Sequence, residues 1–161
     1  MHTDVFETTA IEIEGPTENI TICSLYRPPT PAAQNFIQDL SKIFHNRTQC
    51  IVIRDFNAKH RSWKRSLSNT TPGTALFNDA RVRGLVISAP SDPTIIPSQQ
   101  NRVPAIIDLS LSCGLSNISV ESRCELSSDH NPVHFVVNFN FNSSQLHNYK
   151  SIPTGTNFKI S

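Results

Sequence analysis

The sequence predicts an α/β protein, because short strand patterns alternate with two helical patterns along one chain. Its 161 residues fit one domain, and 37% of them are hydrophobic, which is enough for a core. A hairpin pattern near the start and several strand patterns near the end argue against a simple all-parallel sheet. With 14 basic and 13 acidic side chains, binding of nucleic acid by bulk charge alone is excluded, so any such role requires a local site.

Two strands and a helix are predicted near the start of the chain. Alternating apolar residues predict strands over residues 8–15 and 19–26, joined by a Gly-Pro turn. Thr30 is the predicted N-cap of the helix, and Pro31 suits its first position. The apolar residues predicted to share one face of this helix are Ala33, Phe36, Ile37, Leu40, Ile43 and Phe44.

The second half of the predicted fold consists of more strands and one short helix. The apolar run in QCIVIRDFN predicts a buried strand that ends at a polar site. Residues 74–83 predict a helix that ends at Gly84. Four further strands are predicted at residues 85–90, 105–112, 117–123 and 133–141. The domain is predicted to cover residues 1–141. Residues 142–161 lack periodicity and are predicted to form a polar tail or linker.

Cysteine spacing and the chain start indicate the cellular compartment. The four cysteines lie far apart without a C-x-x-C pair, which favours separate thiols in an intracellular domain over a zinc module or a disulfide framework. The start has neither a basic segment nor an apolar one, so no secretory signal is predicted. No stretch is long and apolar enough for a transmembrane helix, and no membrane partner is expected.

Polar residues follow the buried strand of the DFN segment. Asp55 and Asn57 are two positions apart, so on an extended strand end their side chains point the same way. Together they could hold a hard cation or orient a water molecule. The alternative is that they only cap a turn.

Two other polar positions stand out. Asp108 lies among the apolar residues of AIIDLSLS, where a carboxylate is costly to bury unless it is paired; an outward-facing strand residue is the alternative. Asp129 and His130 lie in SSDHNP, which is either a solvated turn or part of a site. Asp108, His130 and Asp129 together offer an orienting group, an imidazole and a second carboxylate, as in hydrolytic sites.

The ordered segments SLYRPP, IRDFNAKH, AIIDLSLS and SSDHNPV, with Asp92-Pro93-Thr94 before the third, resemble the endonuclease/exonuclease/phosphatase superfamily. The similarity is greatest to the apurinic-type endonuclease domain of jockey-like non-LTR retrotransposons. It implies a four-layer α/β sandwich of two mixed sheets flanked by helices. It also implies phosphodiester hydrolysis with Mg²⁺ or Mn²⁺, with DNA as partner, in the nucleus. The family nicks DNA and leaves a 3′-hydroxyl that primes a reverse transcriptase domain of the full-length element.

The resemblance also implies roles for the polar residues. Asp55 would activate or orient the attacking water, and Asn57 would fix that water and the phosphate. His130 would contact the scissile phosphate and stabilise its developing charge, with Asp108 holding the imidazole ring.

Four more residues receive a role in the same way. Asp129 would lie near the metal, and Tyr26 would touch the phosphate or the leaving oxygen. The residues expected to contact DNA are His60 and Trp63, although packing in the core is an equal alternative for Trp63.

The chain departs from the family pattern in two respects. The family has upstream strands with an Asn and a metal-binding Glu, which this chain lacks, so that it resembles the C-terminal two-thirds of the domain, truncated at the N-terminus. Arg54 stands where the family usually has Gly, and could pair with Asp55 or crowd it. An inactive retroelement remnant with weak nucleic-acid binding is therefore the alternative function, and a phosphorylated small molecule is a third possible substrate.

Overall fold

Eight strands and two helices make up the part of the chain that the computed structural model describes. The described residues are 7–15, 18–26, 33–63, 68–98, 103–123, 129–138 and 157–160. The helices are α1 (Ala33–Phe44) and α2 (Thr71–Arg83). The strands of the first sheet are β1 (Glu7–Ile13), β2 (Ile20–Tyr26), β3 (Gln49–Asp55), β4 (Val86–Ser88) and β5 (Asp108–Cys113). The strands of the second sheet are β6 (Ile118–Ser122), β7 (Val133–Asn138) and β8 (Asn157–Ile160).

The first sheet is mixed, and its strand order is β1-β2-β3-β5-β4. Strands β2 and β3 are parallel and are connected through α1, whereas the other neighbouring strands are antiparallel. Because β5 runs opposite to β2 and β3, its first residue lies at the same sheet edge as their last residues. We call this the polar edge, defined by Tyr26, Asp55 and Asp108.

Both helices cover one face of the first sheet. Helix α1 buries its predicted apolar face, which confirms the sequence pattern: Phe36, Leu40, Ile43 and Phe44 are buried. Helix α2 ends at Gly84, as predicted, because this residue has the left-handed conformation with φ 68°. The strand residues packed in the same core are Cys23, Leu25, Cys50, Val52, Leu109 and Leu111.

The second sheet is antiparallel in the order β6-β7-β8, and β6 contacts β4 of the first sheet. Phe135 and Val137 of β7 are almost fully buried. Strand β8 comes from the segment that was predicted to be a tail, and it pairs with β7 between Asn138–Asn157 and Phe135–Ile160. Its four residues, NFKI, alternate between polar and apolar side chains, but this is the shortest pattern that indicates a strand, and the polar segment around it masks the signal.

Other sequence predictions concern thiols and membrane helices. Cys23, Cys50 and Cys113 are free thiols, and the fold places them on three neighbouring strands, with Cys50 the register partner of Cys113. Cys124 lies outside the described residues. The predicted helix start at Thr30 also lies outside them. Within the described part of the chain, no helix combines the length and apolarity needed to cross a membrane.

Candidate functional site

Two carboxylates meet at the polar edge. Asp55 ends β3 and Asp108 begins β5, and the two residues are direct partners in the antiparallel register. Side chains of directly opposed residues point to the same face of a sheet with Cβ atoms about 5 Å apart. Both carboxylates are half-buried. Tyr26 ends the neighbouring strand β2 at the same edge, but its side chain lies outside what the structure describes.

Residues 93–96 fix the loop that carries the predicted imidazole. The N–H of Thr94 donates to the carbonyl of Ala105 (2.9 Å), just before β5. From the other side, the N–H of Asn131 donates to the carbonyl of Thr94 (2.8 Å), and the N–H of Ile96 donates to the carbonyl of Asp129 (2.8 Å). These bonds hold the Asp129–Asn131 loop against the start of β5.

His130 joins the two carboxylates as a result of this pairing. Its Nδ1 lies 3.6 Å from Oδ2 of Asp108, a contact of ion-pair length rather than a hydrogen bond. One ligand atom from each of Asp55, Asp108 and His130 can be chosen so that all three lie within 4.8 Å of one another. The structure therefore brings together three of the residues singled out in the sequence.

The environment of Asp108 works against its charge. Burial raises the pKa of Asp108, and a hydrogen bond with the Thr94 side chain lowers it. The nearby charge of Asp55 raises this pKa further, whereas His130 lowers it. Oδ2 of Asp108 is buried and makes no hydrogen bond to any residue that the structure describes. A cation beside this pair of carboxylates would favour the charged form of Asp108 and would give its Oδ2 a partner.

Thr94 is a positioning residue to which the sequence analysis gave no role. Its side chain is fully buried, and its Oγ1 accepts hydrogen bonds from the N–H groups of Ile107 (3.0 Å) and Asp108 (3.2 Å). The signal that pointed to this residue was its place in the Asp92-Pro93-Thr94 segment. Its contacts connect residues more than ten positions apart, so only the fold reveals them.

Asn57 follows the strand end in a tight turn. Its N–H donates to Oδ1 of Asp55 (2.8 Å), and its Nδ2 lies 3.4 Å from Oδ2 of the same carboxylate. Asn57 has φ 46°, a left-handed conformation that asparagine adopts more readily than most residues. The turn alternative therefore describes the contacts that these residues make, while their role in holding a cation or a water molecule stays a prediction.

Asp129 and Arg54 lie outside the cluster of two carboxylates and one imidazole. Asp129 is exposed and is not a member of the Asp55, Asp108 and His130 cluster, so its metal-binding role stays a prediction. Arg54 is buried, and its Nε donates to the backbone carbonyl of Asp55. It alternates with Asp55 along β3 and therefore projects from the helix-covered face, away from the carboxylates.

His60 and Trp63, the predicted DNA contacts, lie in the loop that follows β3. The ring of His60 stacks on Phe77 of α2, with centroids 4.3 Å apart, and its centroid lies 5.3 Å from that of Trp63. Trp63 also packs against the core beneath the helices. Trp63 therefore makes the packing contact that was the alternative to DNA binding, while DNA binding by both His60 and Trp63 stays a prediction.

Known proteins resemble this chain over most of the described fold. A family profile described as Endonuclease-reverse transcriptase matches residues 20–134. The RNA-directed DNA polymerase from mobile element jockey of Drosophila melanogaster is 25% identical over 127 residues, which are 76% of this chain and 13% of that protein. The chain therefore spans only a small part of that relative's length.

A solved structure provides the comparison of folds. The endonuclease domain of TRAS1, a telomere-specific non-LTR retrotransposon, superposes with a TM-score of 0.65 at 20% identity, covering 81% of this chain and 63% of that chain. At this identity the likeness concerns the fold. The α/β fold class and the resemblance predicted from the sequence are both confirmed.

Proposed function

This chain belongs to the Endonuclease-reverse transcriptase family, and from that premise we propose that it nicks DNA as the endonuclease domain of a non-LTR retrotransposon. The reaction is metal-dependent hydrolysis of one phosphodiester, which leaves a 3′-hydroxyl to prime reverse transcription. The observation that carries the proposal is the cluster of two carboxylates and one imidazole within 4.8 Å at the polar edge. DNA as substrate implies action in the nucleus, with a reverse transcriptase domain in the full-length protein.

The donor set at the polar edge fits Mg²⁺ or Mn²⁺. Both ions prefer oxygen ligands, and Asp55 and Asp108 present carboxylates side by side. The buried Oδ2 of Asp108 has no hydrogen-bond partner within the described ranges, and a cation would provide it with one. These two residues would hold the ion, with Asp129 as a further ligand from the next loop. When bound, the ion supplies positive charge to the phosphate oxygens.

The side chains around the metal position have separate roles in the reaction. Asp108 lies beside Nδ1 of His130 and would orient the ring, so that Nε2 could contact the scissile phosphate. The His130 side chain is 47% exposed, so DNA can reach it. Asp55, whose carboxylate is oriented by Asn57, orients the attacking water or takes its proton. Asn57 would contact the water and the phosphate, and Tyr26 would contact the phosphate or the leaving oxygen.

Nicking of supercoiled plasmid tests the proposal, with a protein that includes the upstream residues of the element. His130→Ala and Asp55→Ala should each abolish Mg²⁺-dependent nicking without loss of fold, because both groups act on charge that develops in the transition state. If Asp108 serves mainly to orient the ring of His130, Asp108→Asn should be milder than His130→Ala, because the imidazole remains.

His45→Ala is the matched control, since His45 is an exposed histidine just after α1, at the end of the sheet opposite the polar edge. It should nick as the wild type does. Full activity of His130→Ala, or a nick that a DNA polymerase cannot extend, would contradict the proposal. DNA binding without any nicking by the wild-type protein would favour the inactive remnant.

A further inference from the structure

A pocket lies outside the carboxylate cluster, between the loop that follows β3, helix α2 and strand β4. Its volume is about 500 Å³, and its walls include Trp63, Phe77, Arg81, Ile87 and Ala89. We propose that this pocket binds one nucleotide of single-stranded DNA beside the cleavage site. The proposal rests on the nuclease function proposed above and assigns a substrate subsite to it.

The aromatic walls fit a nucleobase. Trp63 and Phe77 line the pocket, and His60 stacks on one face of the Phe77 ring with an interplanar angle of 14°. This stacking holds the phenyl ring in place at the wall of the pocket. Successive bases bind on such aromatic side chains in single-strand-binding proteins without sequence preference. The volume lies within the range of small-molecule sites, roughly 300–1,000 Å³.

Charge complementarity favours a nucleotide over an apolar peptide or a second copy of the chain. Arg81 lines the pocket and is exposed, and it has no ion-pair partner among the described residues. The neighbouring carboxylate of Asp79 is taken by Arg83. A guanidinium offers paired N–H donors that match a phosphate. An apolar occupant would use the aromatic walls but leave this charge unused.

Trp63 supplies a second polar feature. Its Nε1 is shielded from solvent and donates to no acceptor in the part of the chain that the structure describes. A buried donor without an acceptor is unfavourable. A nucleotide carries acceptors on its base, sugar and phosphate, so a small shift of the indole on binding would satisfy this donor.

The position of the pocket connects it to the cleavage site. Ser88, the last residue of β4, pairs with Ser110 of β5, so the next residue, Ala89, lies towards the polar edge and Asp108. Neighbouring strands are about 4.8 Å apart. The pocket's other wall, at Trp63, belongs to the loop that leaves the cluster at Asp55. The pocket and the cluster therefore flank the same edge of the first sheet, the pocket on the helix-covered face and the cluster on the other face. A DNA strand that crosses this edge would place a nucleotide in the pocket.

Trp63 is the single tryptophan of the chain, so its fluorescence reports directly on the pocket. The experiment titrates the 161-residue chain with a short oligothymidylate in EDTA, which prevents cleavage and metal binding. We expect a saturable change in emission. Phe77→Leu and Arg81→Gln should each weaken binding about tenfold, through loss of stacking or of the phosphate contact. Circular dichroism checks that each variant is folded.

Arg47→Gln is the charge-matched control, because Arg47 lies just before β3, at the end of the sheet opposite the polar edge, and does not line the pocket. It should change affinity less than about twofold. Emission without a saturable response, or equal weakening by Arg81→Gln and Arg47→Gln, would overturn the proposal. A change of emission on dilution of the protein alone would assign the pocket to a second copy instead. Because no cleavage is measured, these outcomes do not depend on whether the chain nicks DNA.

Discussion

Asp108 lies at a position where burial disfavours the charged form of its carboxyl group. Because burial raises its pKa in the folded protein above the ordinary value of 3.8, the unfolded chain releases the proton first as pH rises. Below pH 3.8 both states are protonated and the residue costs nothing. As pH rises through the ordinary and the raised pKa, folding stability falls, and the penalty is complete above the raised value.

Asp108→Asn should therefore stabilise the fold while it impairs nicking. We expect a higher Tm at neutral pH, with a difference in free energy of unfolding of about 1 kcal/mol that disappears below pH 3.8. Thermal unfolding followed across pH measures this. Asp129→Asn, at an exposed carboxylate, should leave Tm unchanged. A lower Tm for Asp108→Asn at neutral pH would mean that the contact with His130 outweighs burial.

Single residues differ in how far the sequence could predict them. The cost of burying Asp108 indicated a partner, and the resemblance to known endonucleases indicated that the partner was His130. Thr94 was not assigned because its hydrogen bonds to Ile107 and Asp108 arise only when two distant segments meet. The direction of Arg54 followed from the face of β3 that the helices cover, which one sequence does not specify.

At the scale of elements, the loop after β3 is attached to the start of α2. Thr70 donates its N–H to the carbonyl of Lys59 (2.9 Å), and its hydroxyl accepts from the N–H of Lys59 (3.0 Å) and of Gly73 (3.2 Å). A Cβ atom on Gly73 would lie 2.0 Å from the Lys59 carbonyl oxygen. The helix can approach the loop this closely only because residue 73 is glycine.

Gly73→Ala should consequently destabilise the protein, although alanine is the better helix former by about 1 kcal/mol. The added methyl group must displace the backbone of Lys59, and overpacking of this kind costs about 1–3 kcal/mol. Urea unfolding measures the loss, and the emission of Trp63, four residues after Lys59 in the sequence, should shift. Thr74→Ala, at an exposed position of the same turn, is the control and should change stability by less than about 0.5 kcal/mol.

If Gly73→Ala proved as stable as the wild type, the close contact between loop and helix would be wrong. The same contact explains a difference from the sequence prediction, which began this helix at Thr74. The helix starts at Thr71 because Thr70 caps it while also binding Lys59, a partner that local sequence does not reveal.

At the scale of the whole molecule, the face of the first sheet opposite the helices is unevenly covered. Ile11 and Ile22 are register partners on this face, and Ile51 pairs with Ile22 from the other side. Ile51 is fully buried, Ile22 is half-buried, and Ile11 is 56% exposed. Shielding of this sheet face from solvent therefore decreases towards β1. An apolar face that stays open to water contributes little to folding.

The 161-residue chain alone should therefore be only marginally stable, below the usual lower limit of about 5 kcal/mol, and should bind a hydrophobic dye in its folded state. Ile11→Thr should reduce dye binding with little change in unfolding free energy, because the side chain is already exposed. Ile51→Thr, on the same face but buried, should cost about 2 kcal/mol or more, because it removes buried apolar volume and adds a buried hydroxyl. Urea unfolding and dye fluorescence of the monomer distinguish the two variants. A sharp, cooperative transition of the wild type without dye binding would show that the sheet face is protected in solution.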